Sequence, residues 1–161
     1  MMRILLLTFA LAGCAQPMAN FPSTPIPVEI TYETGPCFGT CPVYAVTVNN
    51  LGAPAVFDGK RFTAVTGRRE VPVSYRQFAA FYDAVADARA AAPADYQQGG
   101  AHCKQVVTDM PSVAITFREG SAAPWTFRYY YGCRDPQNAK IAADLRRAPT
   151  LLPIGDLIGK R

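Results

Sequence analysis

Histidine occurs once in this chain, as His102, and no Gly-x-Ser-x-Gly string is present, so a serine hydrolase reading has nothing to start from. A Cys-x-x-Cys-His string is also missing, which removes covalent c-type haem. The apolar run from Ile4 to Leu11, with Thr8 inside it, falls far short of the roughly 20 residues a membrane-spanning helix needs. Internal repeats are absent. The cations are scattered as Lys60-Arg61, Arg68-Arg69, Arg146-Arg147 and Lys160-Arg161, without interleaved aromatics. Such pairs mark solvated faces, and the net charge of +4 therefore points to no nucleic-acid partner. Asp58, Asp109 and Asp135 fall at turns or caps, where aspartate is expected for hydrogen bonding. No string points to a paired-carboxylate glycosidase, although such pairs are spatial and leave no fixed spacing.

What is there begins with an export signal. Met1-Met2-Arg3 is a short basic start, and Ile4 to Leu11 has the length of a signal peptide's hydrophobic region. Leu11-Ala12-Gly13-Cys14 follows and resembles the lipobox of bacterial lipoproteins. The expected product loses residues 1–13 and carries its lipid on Cys14, with more than one acyl chain holding it stably in the membrane. An ordinary secretory signal is the alternative. Ala15, in place of aspartate, favours the outer membrane in enteric bacteria, with the domain facing the periplasm. Residues 14–27 hold Pro17, Pro22, Pro25 and Pro27 and read as the lipid anchor and a semi-extended tether. Residues 28–161 are then one domain, and half the chain is apolar, enough to bury a core.

The organising stretch is Gly35-Pro-Cys-Phe-Gly-Thr-Cys-Pro-Val-Tyr44, a tight loop feeding a strand. Strands are expected from Val28 to Thr34, Val43 to Asn49, and from Ala55 to a break at Asp58-Gly59. Arg61 to Val65 and Glu70 to Val73 read as further short strands, the second at an edge because Pro72 lacks a donor. Ser74 with Gln77 forms a capping box ahead of Phe78, Phe81, Tyr82, Val85 and Ala88 at helical spacing, and Pro93 closes that helix. Asp95 to Gln105 is a polar loop. Val113-Ile115-Phe117 and Trp125-Phe127-Tyr129-Tyr131 alternate and form a second hairpin. The aromatic side of that hairpin reads as core rather than as a ligand surface, with Tyr130 the outlier. Asp135-Pro136 opens another helix as N-cap and first residue, with Ile141, Ala142 and Leu145 inward and Arg146-Arg147 complementing its C-terminus. Leu151 to Ile158 packs onto the body. The expected class is α+β: an antiparallel sheet of hairpins with two to three helices on one face.

Setting aside Cys14, four cysteines remain: Cys37, Cys41, Cys103 and Cys133. An even number in an exported chain reads as two disulfides with three possible connectivities, the simplest being Cys37–Cys41 and Cys103–Cys133. Two other uses of the loop are open. One is thiol-redox work by Cys37 and Cys41, although thioredoxin-type pairs sit at a helix N-terminus and here a strand follows. The other is a metal held by Cys37, Cys41 and His102, with Cys103, Cys133 or Met110 in reserve. An enzyme site assembled from scattered residues is a third, and a non-catalytic binding or envelope-structural module is the leading expectation.

The string Cys37-x-Gly-Thr-Cys41-Pro-x-Tyr44, with a strand after it, resembles the signature of an uncharacterised bacterial family, the domain-of-unknown-function family 6438. Thr108-Asp109-x-Pro111 before a strand and the hydrophobic C-terminal segment resemble it too, over roughly Pro27 to Ile158. The resemblance implies a small α+β domain with no assigned activity and no cofactor. It also implies that Cys103 and Cys133, which lie outside the family pattern, pair with each other. Partners are expected to be the membrane, through the lipid, and a protein or small molecule of unknown identity.

Overall fold

The computed structural model describes residues 25–91 and 96–159. Cys14 and most of the proline-rich tether lie outside the described residues. Six strands form one sheet: β1 Val28–Thr34, β2 Val43–Asn49, β3 Ala55–Arg61, β4 Gly67–Val71, β5 Ser112–Glu119 and β6 Trp125–Tyr130. Their order is β4-β3-β2-β1-β5-β6, and every neighbouring pair is antiparallel. Helices α1 Tyr75–Ala84, α2 Ala86–Ala90, α3 Ala139–Arg147 and α4 Gly155–Ile158 complete the α+β fold.

Alternation along the strands sorts the two faces. Ile30, Tyr32, Tyr44, Val46, Phe57, Ile115, Phe117, Phe127 and Tyr129 are buried in one core with Phe81, Leu145 and Ile154 from the covering segments. The other face is polar. Thr47, Thr31, Thr116 and Thr126 stand in register across β2, β1, β5 and β6, with hydroxyl pairs at 2.9 Å (Thr31–Thr47) and 2.8 Å (Thr116–Thr126). The aromatic hairpin is core as read: Phe127 and Tyr129 are buried, and Trp125 stacks on Phe117 with ring centroids 4.3 Å apart.

The Ser74 capping box forms in full. The helix it starts is two runs rather than one, because the Val85 N–H is shared between the Phe81 and Tyr82 carbonyls at 3.2 Å each and its φ of −103° ends the first. Strand β3 does not break at Asp58-Gly59 but continues to Arg61. Gly59 acts there as a crossing point: a Cβ would lie 2.0 Å from the Val65 carbonyl oxygen, so only glycine lets the chain pass over it. The strand expected from Arg61 to Val65 is absent. Phe62 takes φ 55° and turns the chain, and the N–H groups of Ala64 and Val65 donate to Ile158 and Leu157 of the C-terminal segment.

Asp135 precedes a 3-10 turn, Pro136–Asn138, but its side chain does not cap it. The buried carboxylate accepts instead from the backbone N–H groups of Lys104 (2.8 Å) and Gln105 (3.1 Å). Asn138, also buried, donates to the His102 carbonyl at 2.7 Å. These bonds tie the polar loop to α3 beside the Cys103–Cys133 disulfide.

Chain entry and cysteine loop sit at opposite ends of β1. At its start, Asn50 donates to the Ile26 carbonyl and Gly120 to that of Pro27, both at 2.8 Å. Seven residues of strand then carry the chain about 23 Å to the loop.

Candidate functional site

Residues 35–42 join β1 to β2, and their shape follows from a few bonds. The Thr34 hydroxyl donates to the Pro42 carbonyl (2.9 Å) and accepts from the Tyr44 N–H (3.0 Å), closing the base. Cys37 and Cys41 are joined in a disulfide with Cα atoms 5.8 Å apart. Gly39 between them has φ 133°, a backbone conformation that a side chain would strain. The loop is then pinned sideways to the segment before β5: Gly35 donates to the Ser112 carbonyl (2.8 Å) and Phe38 to that of Asp109 (3.3 Å). Asp109 has φ 64°, so Thr108-Asp109-x-Pro111 is a bend that presents its carbonyl to the cysteine loop. Two stretches seventy residues apart in sequence therefore form one wall.

Behind that wall is a cleft of about 1000 Å³. Its floor is aromatic. Tyr32 and Tyr44 stack at 6.4 Å, and Phe81 packs edge-on to Tyr32 at 6.2 Å. The Tyr32 hydroxyl donates to the Leu145 carbonyl (2.9 Å) and lies 3.4 Å from that of Tyr131. The far side comes from the C-terminal third. Arg146 places its guanidinium 4.6 Å from the Tyr131 ring centroid, and Pro149, Ile158 and Gly159 close the edge. Two exposed phenyl rings, Phe38 (88 % exposed) and Phe62 (51 % exposed), flank the opening.

Among the described residues the lining has one charged side chain. Arg146 contributes a guanidinium, and no aspartate or glutamate lines the cleft among the described residues. The remaining polar groups are hydroxyls of Tyr32, Thr34, Thr40, Tyr44, Ser112 and Tyr131. Deeper in the core, burial pushes the Tyr129 phenol above its ordinary value, against the pull of the Arg146 and Arg134 charges. On the far edge of the fold, the two N–H groups of Arg89 hold the Glu119 carboxyl below the usual range; that pair anchors α2 to β5.

The residues singled out by the sequence fall in different places. Cys37 and Cys41 line the cleft as a disulfide. Cys103 and Cys133 are bonded to each other, both buried and away from the cleft lining. His102 stacks on Tyr96 with centroids 4.9 Å apart and does not line the cleft either. Among the described residues no three His, Cys, Asp or Glu side chains cluster as metal ligands, so Cys37, Cys41 and His102 are not brought together. Tyr130, the outlier of its strand, donates to the Val107 carbonyl (3.0 Å) and accepts from the Met110 N–H (3.3 Å), fixing the bend that forms the wall. Arg146, Tyr131 and Phe62 were not readable as site residues. The one signal was Phe38, a large apolar residue inside a loop that otherwise holds turn formers.

A family model described as a domain of unknown function, DUF6438, matches residues 28–148. No curated protein matches the chain.

Proposed function

This chain belongs to the family of the domain of unknown function DUF6438, and from that fold without an assigned activity we propose a ligand-binding module of the bacterial envelope. The observation that carries the reading is the cleft. Both segments that mark the family resemblance, Cys37 to Tyr44 and Thr108 to Pro111, meet there, and sites of this kind are concave, largely apolar and furnished with a few fixed polar groups. The disulfide shapes the loop and holds Phe38 at the mouth. Thr40 supplies a test, since it is exposed on the loop and lines the cleft. Thr40→Trp is expected to leave the melting temperature unchanged and to weaken binding of indole, measured by calorimetric titration, by about tenfold or more. A variant that binds indole as well as the native chain contradicts the reading.

We also propose that the domain is lipid-anchored through Cys14 and faces the periplasm from the outer membrane. Support comes from Leu11-Ala12-Gly13-Cys14 behind a hydrophobic run of signal-peptide length. Cys14→Ser in the full chain is expected to move the protein from the membrane to the soluble fraction. A variant that stays with the membrane counts against the anchor.

A further inference from the structure

Resting on the cleft as a binding site, we propose that its ligand is a small amphipathic monoanion: an aromatic or short apolar body carrying one carboxylate, which Arg146 receives. The charge balance comes first. Among the described residues Arg146 is the only charged side chain of the lining, and no carboxylate there faces it. Its neighbour Arg147 is bonded to Asp144 at 3.3 Å, and Arg89 and Arg118 are paired with Glu119 and Glu29. Arg146, exposed like most arginines of the fold, makes no ion pair among the described residues, as is also true of Arg61, Arg68, Arg69, Arg76, Arg128 and Arg134; what sets it apart is its place in the cleft lining. Its guanidinium carbon lies 4.6 Å from the Tyr131 ring centroid, a contact that uses the face of the group, and guanidinium N–H groups are the donors suited to a carboxylate.

The apolar half of the ligand is read from the mouth. Phe38 is 88 % exposed and Phe62 51 % exposed, large apolar surface that a ligand would cover. Phe62 is held at φ 55°, a conformation a bulky side chain adopts only under constraint. Backbone strain of this kind is a pointer to function when the surroundings enforce it, and here the bonds of Ala64 and Val65 to the C-terminal segment do so. Arg61 lies 5.8 Å from the Phe62 centroid and adds positive potential at the opening. A volume of about 1000 Å³ sits at the upper end of the range for small organic ligands.

The test is a matched series on one ring system: indole-3-acetate, its neutral amide, and tryptamine, titrated by calorimetry into the full chain and into Arg146→Gln and Arg146→Lys. The native chain is expected to bind the acid about tenfold tighter than the amide, with tryptamine weakest. Arg146→Gln is expected to bring the acid down to the amide, and Arg146→Lys to keep part of the preference. Equal affinity for acid and amide, both lost in Thr40→Trp, overturns the anion assignment and leaves the cleft as a site. A preference for the acid that survives in Arg146→Gln overturns the role of Arg146. Failure of all three compounds to bind the native chain overturns both the ligand class and the binding reading.

Discussion

Replacing Cys103 and Cys133 together by serine will lower the stability of the domain by about 3–4 kcal/mol, the entropy of releasing a loop of this length in the unfolded chain. The two are 30 residues apart in sequence, and both are buried. In the folded protein the same region is also held by other bonds. Asp135 accepts from Lys104 and Gln105, Asn138 donates to His102, and the Arg134 N–H donates to the Gln105 carbonyl at 2.7 Å. The native loop therefore keeps its place without the disulfide, and the loss falls on the unfolded side of the equilibrium. Urea denaturation of the oxidised native chain and the double variant measures it. A difference below about 1 kcal/mol would mean that the unfolded chain is already compact around this loop. Cys37–Cys41, only four apart, closes a shorter loop, and its removal belongs with changes in the cleft rather than with global stability.

Phe81→Ala is expected to cost about 3–5 kcal/mol, the range for deleting a fully buried phenyl group. Phe81 has no exposed surface, and it heads an aromatic chain that crosses the sheet: Phe81 against Tyr32, Tyr32 on Tyr44, and Tyr44 on Phe57 at 5.5 Å. Tyr32 and Tyr44 are also the floor of the cleft, so the cavity left by the substitution opens directly beneath the site. Against a total stability of roughly 5–15 kcal/mol for a domain of this size, the variant will be marginal. Thermal unfolding followed by near-ultraviolet circular dichroism will show a loss of about 10–20 °C, by the scaling for domains of this length. A shift of two or three degrees would place Phe81 outside the load of the core.

Much of the fold is written locally. Strands β1, β2, β5 and β6 announce themselves by alternation because one face is buried and the other wet, and Ser74-x-x-Gln77 specifies a helix start through two reciprocal bonds. What fails to read are positions decided by distant partners. Gly59 looks like a breaker, yet it is a gap for the Val65 carbonyl to pass. Asp135 looks like a cap, yet its carboxylate serves a loop thirty residues upstream. The cleft is less legible still. Its parts come from β1, the cysteine loop, the bend before β5, Tyr131, the end of α3 and the C-terminal segment, and each residue alone has an ordinary use. Arg146 at a helix C-terminus reads as a dipole partner, and Tyr131 after an aromatic strand reads as core. Only their meeting at 4.6 Å, in a cleft with two exposed phenyl rings, makes them a candidate site.

Ligand entry under the cysteine loop is tested most directly by mapping backbone amide shifts of the isotope-labelled chain while small aromatic carboxylates are added. Concentration-dependent shifts are expected, confined to Phe38, Gly39 and Thr40 of the loop, to Phe62, to Met110 and Ser112, and to Arg146 and Gly159. Shifts gathered instead on the threonine face of the sheet, around Thr31, Thr47, Thr116 and Thr126, with the loop unmoved, would contradict it.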